Sequence, residues 1–194
     1  MNAIESHKSV LAVALKRVSR SVLELGAGDC STPLIHSTLE GRNVKVLTVD
    51  DDHTWLSKYE HLKTEFHDFK CISHADIQKF YDNDNEPWEL VFVDSGSWEA
   101  RAAAIKKYRE IADYLVIHDC NYLPENGIFG KILEPMHQKT RRIGKRDYSD
   151  VFKYWIEFSN WASRTELNPF TLIASNKINL RNFKVRRMTI SGRS

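Results

Sequence analysis

Polar side chains gather directly after a short apolar stretch in the second half of the chain. Residues 116–121 read VIHDCN, which sets an imidazole, a carboxylate, a thiol and an amide in a row at His118, Asp119, Cys120 and Asn121. The ordinary pKa of histidine lies near neutrality, so His118 suits a general base. Carboxylate and amide oxygens are ligands that Mg²⁺ and Mn²⁺ accept. The stretch therefore indicates a reactive site, but it assigns no role to Cys120.

Three other polar groups also follow apolar stretches that are typical of buried strands. The sequences SVLEL, VKVLTV and WELVFV run into polar residues that begin at Gly26, Asp50 and Asp94. Strands that alternate with helices predict a mostly parallel sheet with helices on both faces. Ligands bind at the carboxyl ends of the strands in such sheets. All four polar groups are therefore expected where an α/β fold would form its site.

The remaining elements follow from hydrophobic periodicity. Helices are predicted over residues 4–19, from Pro33 onward, over 53–66, and from Trp98 to Ala112 with Ser97 as N-cap. A weaker strand covers 69–77, and 125–150 is irregular and basic. Two late strands, 151–158 and 169–175, have no helix between them and so predict an antiparallel pair. The prediction is a seven-stranded sheet in one domain over 1–194, with a lead-in helix in 1–19.

Composition and charge narrow the class of protein. The 194 residues are 42% hydrophobic and 28% charged, an ordinary profile for one soluble domain. Three scattered cysteines predict reduced thiols in a cytoplasmic protein, and no segment is long enough to span a membrane. The basic tail, 177–194, is expected to be solvated or disordered, with contact to an anionic substrate as the alternative. Arg141 and Arg142 lie in a second basic stretch that could engage a carboxylate or phosphate.

The glycines after the first strand have two interpretations. ELGAGDCS (24–31) places Gly26 and Gly28 between a strand and a helix, where backbone can approach a ligand. A tight turn without a ligand is the plain alternative. The dinucleotide pattern GxGxxG fails, because Ser31 occupies the third glycine position. Glu24 suits a cationic or amine-bearing ligand better than a nicotinamide cofactor.

This pattern resembles motif I of class I S-adenosylmethionine (SAM) methyltransferases, and the markers that follow it stand in that family's order. The resemblance covers about residues 20–175 and implies the family's Rossmann-like fold, closed by an antiparallel C-terminal hairpin. It implies that Asp50 binds the ribose hydroxyls and that Asp76 contacts adenine. Cys30 stands where the family commonly has a third glycine. The cofactor-binding residues implied are Glu24, Gly26, Ala27, Gly28, Asp50, Asp51, Asp76 and Asp94.

A finer resemblance is carried by VDSGSWEARAAAI (93–105) together with VIHDCNY (116–122). These stretches are similar to the glucuronoxylan methyltransferases of plants, and also suggest the glycan methyltransferases of large algal viruses, which would act in the host cytoplasm. The resemblance implies O-methylation of a sugar hydroxyl in a glycan, with Asp94, His118 and Asp119 as catalytic residues. The substrate residues implied are Trp98, Arg101, Asn121 and Tyr122.

A divalent cation is a further possibility at the same strand ends. Asp94 and Asp119 could hold Mg²⁺ or Mn²⁺ with Asn121. This arrangement resembles the metal-dependent O-methyltransferases, in which the asparagine directly follows the second aspartate. Here Cys120 occupies that position and Asn121 comes one residue later.

Structural interpretations compete with each of these assignments. A histidine at a strand end often binds a loop carbonyl, and Asp119 could cap a turn. Asp50 could serve only as the start of a helix, without binding a ligand, and Trp98 could belong to the core. All of these residues are expected at the same edge of the sheet, and this coincidence favours a functional site over separate structural roles. Three rival functions stay open: a nucleic-acid methyltransferase, including one that modifies ribose hydroxyls; a SAM-binding module without catalysis; and a dehydrogenase. Residues 94–97 lack the Asn/Asp-Pro-Pro-Tyr pattern of base-methylating enzymes. The oligomeric state is not predicted.

Overall fold

The computed structural model describes residues 6–120, 148–159, 170–185 and 189–193. Within these ranges strands and helices alternate through the first two thirds of the chain. The helices are α1 (Ser6–Leu15), α2 (Ser31–Leu39), α3 (His53–Ser57), α4 (Ile77–Asn83) and α5 (Trp98–Ile111), with a short 3-10 helix at Glu60–Leu62. The strands are β1 (Ser21–Leu25), β2 (Lys45–Asp50), β3 (His67–Cys71), β4 (Leu90–Val93), β5 (Tyr114–His118), β6 (Tyr154–Ser159), β7 (Thr171–Ser175) and β8 (Thr189–Arg193).

One mixed sheet contains all eight of these strands, in the order β3-β2-β1-β4-β5-β7-β6-β8. β1 to β5 are parallel, and β7 lies antiparallel between β5 and β6. The predicted α/β fold with an antiparallel C-terminal pair is confirmed. The seven predicted strands are present, and β8 extends the edge beside β6. The order reverses between β1 and β4, so the carboxyl ends of these two strands border a crevice.

Apolar side chains cover both faces of the sheet. On one face, Leu11 and Leu15 of α1 and Ile35 of α2 pack on Val22 and Phe92 of the central strands. On the other, α4 and α5 contribute Tyr81, Ala104, Ile105 and Tyr108. Burial on both faces explains why the apolar residues of β1 and β4 do not alternate with exposed ones. The carboxyl ends of both strands are therefore fixed from two sides.

Two helix predictions were correct in part. Ser97 is the N-cap of α5, because its hydroxyl accepts a 3.1 Å hydrogen bond from the Ala100 amide, as predicted. The helix predicted over 53–66 is shorter: α3 ends at Ser57, and only the 3-10 turn follows it. β3 begins at His67, two residues before the predicted start.

The expectation that residues 177–194 form a solvated or disordered tail was wrong for the part that is described. Leu180, Phe183 and Val185 are buried against the α1 face of the sheet. The Arg17 guanidinium lies 5.0 Å from the centre of the Phe183 ring and donates a 2.6 Å hydrogen bond to the carbonyl of Asn182. Apolar residues interspersed among the basic ones therefore hold 177–185 on the domain. Residues 189–193 form β8.

In the part of the chain that is described, no helix has the length and apolar character required to cross a bilayer.

Glu89 anchors the entry to the central strands. Its Oε2 atom accepts hydrogen bonds from the backbone amides of Ser19 and Arg20, at 2.7 and 2.8 Å. The Glu89 side chain is 11% exposed, so the loss of this acceptor leaves two shielded N–H groups without a partner. We expect Glu89→Ala to lower the free energy of unfolding by about 2–3 kcal/mol, measured by urea denaturation.

Glu86→Ala is the matched control. Glu86 pairs with Lys45 at 3.1 Å, but both side chains are largely exposed, at 40% and 59%. An exposed ion pair contributes at most about 1 kcal/mol. Equal losses in the two variants would contradict the anchoring role of Glu89.

Candidate functional site

A shallow cleft opens at the carboxyl ends of β1, β2 and β4. Its walls come from the residues that follow these strands and from the first turns of α4 and α5. The lining residues are Leu25, Gly26, Val49, Asp50, Asp51, His74, Ile77, Tyr81, Ser95, Gly96, Ser97 and Ala100. Of the predicted cofactor residues, Gly26, Asp50 and Asp51 line it.

The turn after β1 is held from the side of α3. The Asp50 carboxylate accepts a 2.8 Å hydrogen bond from the Ala27 amide, and the Trp55 indole donates to the Ala27 carbonyl at 2.8 Å. The Tyr59 hydroxyl donates to the Asp29 carboxylate at 2.6 Å, and the Gly28 amide donates to the Thr32 hydroxyl at 2.9 Å. Four contacts thus fix the glycine turn. The amides of Ala27 and Gly28 are already engaged within the protein.

Gly26 is, among the glycines described, the one that lies against the backbone of another segment. It has φ +94°, and a Cβ atom there would lie 2.5 Å from the carbonyl oxygen of Asp94. A side chain is therefore excluded both by the left-handed backbone and by the end of β4. This contact brings the turn after β1 against Asp94 and Ser95. The polar groups that begin at Gly26 and at Asp94 therefore form one wall of the cleft.

Glu24 lies behind the cleft rather than in it. Its carboxylate is fully buried and accepts a 2.7 Å hydrogen bond from the Thr48 hydroxyl of β2. Burial raises the pKa of Glu24 to about 7, an effect that the hydroxyls of Ser31, Thr48 and Thr32 only partly offset. Only Thr48 bonds with good geometry, and Oε1 has no such partner in the described part of the chain. A carboxylate this buried attracts a cation strongly when it is ionised.

The other predicted acids of the cofactor site differ in exposure. Asp50 is half-buried, and burial raises its pKa, although amide hydrogen bonds from Asp52 and Ala27 oppose this. Asp51 is exposed at the rim, 3.6 Å from the imidazole of His74. Asp76 is also exposed, and its carboxylate accepts a 2.6 Å hydrogen bond from the Ser73 hydroxyl. Its neighbours His74 and Ile77 line the cleft, whereas Asp76 is not among the lining residues.

The ends of β4 and β5 bring Asp94 and His118 together. The His118 Nδ1 atom lies 3.1 Å from Asp94 Oδ1, and Arg101 Nη2 donates to the same oxygen at 2.9 Å. Burial alone would raise the pKa of Asp94, but the hydrogen bond from His118 and the positive charge of Arg101 outweigh it and lower the pKa. An ionised Asp94 accepts the proton on Nδ1, which leaves Nε2 of a neutral His118 as the acceptor.

Arg101 acts as a clamp behind this pair. Besides Asp94, its guanidinium donates to the carbonyl of Ser95 at 2.6 Å and to the carbonyl of His118 at 2.9 Å. The side chain is 8% exposed, and the Trp98 ring centre lies 4.8 Å from the guanidinium carbon. Arg101 was predicted to bind substrate, but its donors serve the protein itself. Trp98 is half-buried and packs against the core.

Asp119 completes the cluster in a strained conformation. It has φ +54°, the left-handed region that a residue with a Cβ atom occupies at a cost. Its carboxylate lies 3.6 Å from His118 Nε2 and 3.9 Å from Arg101, with 26% of the side chain exposed. Burial raises the pKa of Asp119, and the charges of His118 and Arg101 partly offset the increase. The side chain of Asp119 is more exposed than those of Asp94, His118 and Arg101.

His7, in the lead-in helix, is a member of this site that the sequence did not reveal. It is 4% exposed, and its ring packs edge-on against His118 with 4.3 Å between ring centres. Burial, followed by the charge of His118, lowers the pKa of His7 to about 4, so this imidazole is neutral at pH 7. His7 stands between Ser6 and Lys8, so its neighbours along the chain give no signal of this contact.

Cys120 faces away from the reactive cluster. Its side chain is buried, and the thiol lies 3.9 Å from the Glu157 carboxylate of β6. It belongs to the core cluster between the sheet and α5. Asn121 and Tyr122 lie outside the described residues, as do Arg141 and Arg142.

Two of the three predicted metal ligands, Asp94 and Asp119, meet the requirement of distance together with His118, but they are poorly matched in charge. Ligand atoms of Asp94, His118 and Asp119 all lie within 4.8 Å of one another, the one such group among the residues described. However, Arg101 already binds Asp94 and lies close to Asp119. This guanidinium supplies the positive charge that a divalent ion would otherwise bring. The arrangement does not fit a metal ion while Arg101 holds its position.

The cleft does fit a nucleoside cofactor that carries an amine. Tyr81 and Ser95 line it, and their hydroxyl oxygens are buried and interact with each other, but neither makes a hydrogen bond of good geometry among the residues described. Buried polar atoms of this kind generally find a partner, and a bound ligand is one. Oε1 of Glu24 is a third such atom, and it is anionic when ionised. The polar rim of Asp50 and Asp51 suits ribose hydroxyls.

No protein-family model matches the chain, and no curated protein matches it either. Solved structures do match. An rRNA methylase from Streptococcus thermophilus aligns over 92% of this chain and 98% of its own, at 13% identity and a TM-score of 0.56. The SAM complex of the O-methyltransferase TomG from Streptomyces achromogenes aligns over 87% and 79%, at 16% identity and a TM-score of 0.56. A probable spermidine synthase from Corynebacterium glutamicum aligns over 92% and 67%, at 9% identity and a TM-score of 0.57.

These similarities concern the fold. Identities of 9 to 16% are too low to carry over individual residues, but they place the chain in the Rossmann-like fold of class I methyltransferases. An rRNA methylase, an O-methyltransferase and a spermidine synthase share this fold, so it does not select an acceptor. The resemblance read from motif I is thereby confirmed at the level of fold.

Gly26 supplies a direct test of the wall between β1 and β4. We expect Gly26→Ala to lower the free energy of unfolding by about 3–5 kcal/mol, since left-handed strain and a clash with backbone add together. Gly41→Ala is the control: Gly41 has φ +73°, but nothing lies within 4 Å of its Cβ position. That variant carries the strain alone, about 1–2 kcal/mol. Urea denaturation measures both, and similar losses would contradict the close approach at Asp94.

Proposed function

We propose that this protein is a SAM-dependent O-methyltransferase that transfers a methyl group to a sugar hydroxyl of a glycan. The observation that carries the proposal is the juxtaposition of two halves of a site at one sheet edge. The cleft at Gly26 and Asp50 suits the cofactor, and the Asp94–His118–Asp119 cluster adjoins it through the Gly26–Asp94 contact. A proton acceptor next to a cofactor cleft is what methylation of a hydroxyl requires.

The chain's own residues would hold the cofactor as follows. Asp50 or Asp51 receives the ribose hydroxyls, and Asp76, by resemblance, contacts adenine from the rim. Glu24 provides the buried negative charge for the amino group of the methionine part. When bound, SAM supplies a methyl group activated by its sulfonium. The protein contributes mainly by positioning, because methyl transfer is an in-line displacement.

His118 is the proposed general base. Asp94 holds its Nδ1 proton at 3.1 Å, so the lone pair on Nε2 is directed away from Asp94. That atom is buried and lies 3.6 Å from Asp119. The acceptor hydroxyl is therefore proposed to bind from the side of Asp119, the more exposed carboxylate. His118 would then take the proton of the acceptor hydroxyl when the methyl group is transferred.

A sugar hydroxyl is proposed as the acceptor because of the resemblance of residues 93–105 and 116–122 to the glucuronoxylan methyltransferases. Trp98, Asn121 and Tyr122 stay the predicted substrate residues. Arg101 is reassigned to positioning, because its buried guanidinium joins Asp94, Ser95 and His118. Turnover without a divalent ion is proposed for the same reason, since Arg101 balances the two carboxylates.

An RNA ribose methyltransferase is the second candidate. The observation in its favour is the likeness to an rRNA methylase that matches this chain over 98% of its own length. The chemistry would be the same, since a ribose 2′-hydroxyl is also a sugar hydroxyl. The two candidates differ in the charge of the acceptor. RNA carries a charged phosphate at every nucleotide, so its binding weakens steeply as the salt concentration rises.

His118→Ala tests the base. Turnover should fall at least about 100-fold, the usual contribution of a general base, while SAM affinity by calorimetry stays close to that of the wild type. His61→Ala is the control, because His61 is exposed in the 3-10 turn and has no proposed role in the site. Unchanged turnover in His118→Ala would remove His118 from the mechanism.

The acceptor is tested with SAM labelled in its methyl group. We expect transfer to a glycan or glycoside from a panel that includes uronic acid residues, and no transfer to short RNA. The rate should be unchanged by a chelator. Methyl transfer to RNA would support the second candidate. A rate that falls when a chelator is added would support a role for a divalent metal ion. SAM binding without transfer to any acceptor would favour a module without catalysis.

A further inference from the structure

A chain of buried polar side chains leads from Glu24 across the sheet to α2. The Glu24 carboxylate lies 2.7 Å from the Thr48 hydroxyl, which lies 2.9 Å from His67 Nε2. Nδ1 of His67 in turn lies 3.2 Å from Nδ1 of His36. Glu24, Thr48 and His67 are each fully buried, and His36 is half-buried. The four residues come from β1, β2, β3 and α2.

Strand pairing explains why these side chains meet. Glu24 is the register partner of Thr48, and Val46, two residues before Thr48, is the partner of His67. Residues two apart on a strand share a face, so all three side chains point toward α2. The surroundings are apolar, with Val46 and Ile35 in the core cluster of this face. Polar groups in such a place add little to stability compared with apolar ones of similar shape.

The hydroxyl of Thr48 gives the chain a direction. It has one hydrogen, so if that hydrogen is donated to an ionised Glu24, the oxygen must accept one from His67 Nε2. A neutral His67 then has a free Nδ1, which accepts from Nδ1–H of His36. Burial, reinforced by the charge of His36, lowers the pKa of His67 to about 4, so it is neutral at pH 7. In this arrangement Glu24 accepts through Oε2, and the hydrogen bond is stronger when Glu24 is a carboxylate. The opposite arrangement, with every donor reversed, requires a proton on Oε2.

We propose that Thr48 and His67 are positioning residues of the cofactor site, which hold Glu24 as an ionised counter-charge for the amino group of SAM. The inference rests on the proposed function, because it gives Glu24 its ligand. It adds a set of residues behind that contact, on strands where no motif indicated them.

Other groups near Glu24 do not supply this function. From α2, the Ser31 and Thr32 hydroxyls lower its pKa, whereas the negative charge of Asp94 at the end of β4 raises it. Tyr59, near the glycine turn, is neutral, and burial raises its pKa further above the ordinary value. Thr48 is thus the one group among these that both donates with good geometry and is itself backed by a second donor. A carboxylate left without it would ionise at higher pH.

The sign of the pH dependence follows from the position of Glu24. Its pKa of about 7 exceeds the ordinary value, so the carboxyl gains a proton as the pH falls below neutrality. The amino group of SAM keeps its charge up to about pH 8. Cofactor affinity should therefore fall from pH 7.5 to pH 6 in the wild type. Removal of the Thr48 hydroxyl should shift this loss to higher pH.

Thr48→Val, which keeps the shape of the side chain, tests the proposal in two ways. The first needs no cofactor: the ¹³C carboxyl signal of Glu24, assigned by its absence in Glu24→Gln, is titrated by NMR. Loss of a hydrogen bond to a carboxylate should raise the midpoint by about one to two pH units. The second is calorimetry with SAM, in which affinity at pH 7.5 should weaken about tenfold, since less of the protein is ionised.

Two further variants separate hydrogen bonding from packing. Thr48→Ser retains the hydroxyl and should titrate like the wild type. His67→Phe keeps a ring of similar shape, removes the donor behind Thr48, and should shift the midpoint in the same direction by less. A midpoint that does not move in Thr48→Val would overturn the proposal, as would an equal shift in Thr48→Ser.

The outcomes also distinguish this inference from the proposed function. If the midpoint moves but SAM affinity does not follow it, Glu24 is not the counter-charge and the inference fails while SAM binding stands. If the wild type binds no SAM at any pH, the proposed function fails, and the role in cofactor binding fails with it. The titration would then still show whether Thr48 and His67 control the pKa of Glu24.

Discussion

The buried guanidinium of Arg101 is the contact on which the geometry of the candidate site depends. It joins the Ser95 carbonyl after β4 to the His118 carbonyl at the end of β5, and it binds Asp94. Its planar fork presents several donors in a fixed arrangement, which a lysine could not reproduce. Because one cation meets two strand ends, the distance between Asp94 and His118 is set by covalent geometry. The strained backbone of Asp119 follows directly after this clamp.

The electrostatics of the site follow from the same contact. Two carboxylates and two imidazoles lie close together in a poorly solvated place, where like charges would repel strongly. His118, through its hydrogen bond, and Arg101, through its charge, keep the pKa of Asp94 low in spite of burial, whereas burial raises the pKa of Asp119. Carboxyls whose pKa values are driven apart take different roles in a site. Asp94 is thereby suited to hold a proton on His118, and Asp119 to meet the acceptor.

The sequence predicted most of the fold because the relevant signals are local. Apolar strands that end in glycine or aspartate predict a parallel sheet and its ligand-binding edge, and β1, β2, β4 and β5 all conform. What it missed depends on neighbours that are distant along the chain. Leu180 and Phe183 were hidden among basic residues, so their burial went unnoticed. The orientation of Arg101 depends on which face of α5 meets the sheet, and a favourable motif position made substrate contact the natural interpretation.

The polar residues inside elements were harder still to predict. His7, Thr48 and His67 lie within a helix or strands, where a polar side chain usually faces solvent and carries no meaning for function. Their burial follows from the strand order, which sets β1 beside both β2 and β4 and places α1 over β5. The site thus has two layers. The polar residues at the strand ends can be read from sequence, whereas those behind them become visible only when the strands are paired. The layer behind fixes the ionisation and orientation of the layer in front, so a variant that alters it can change function without touching a ligand.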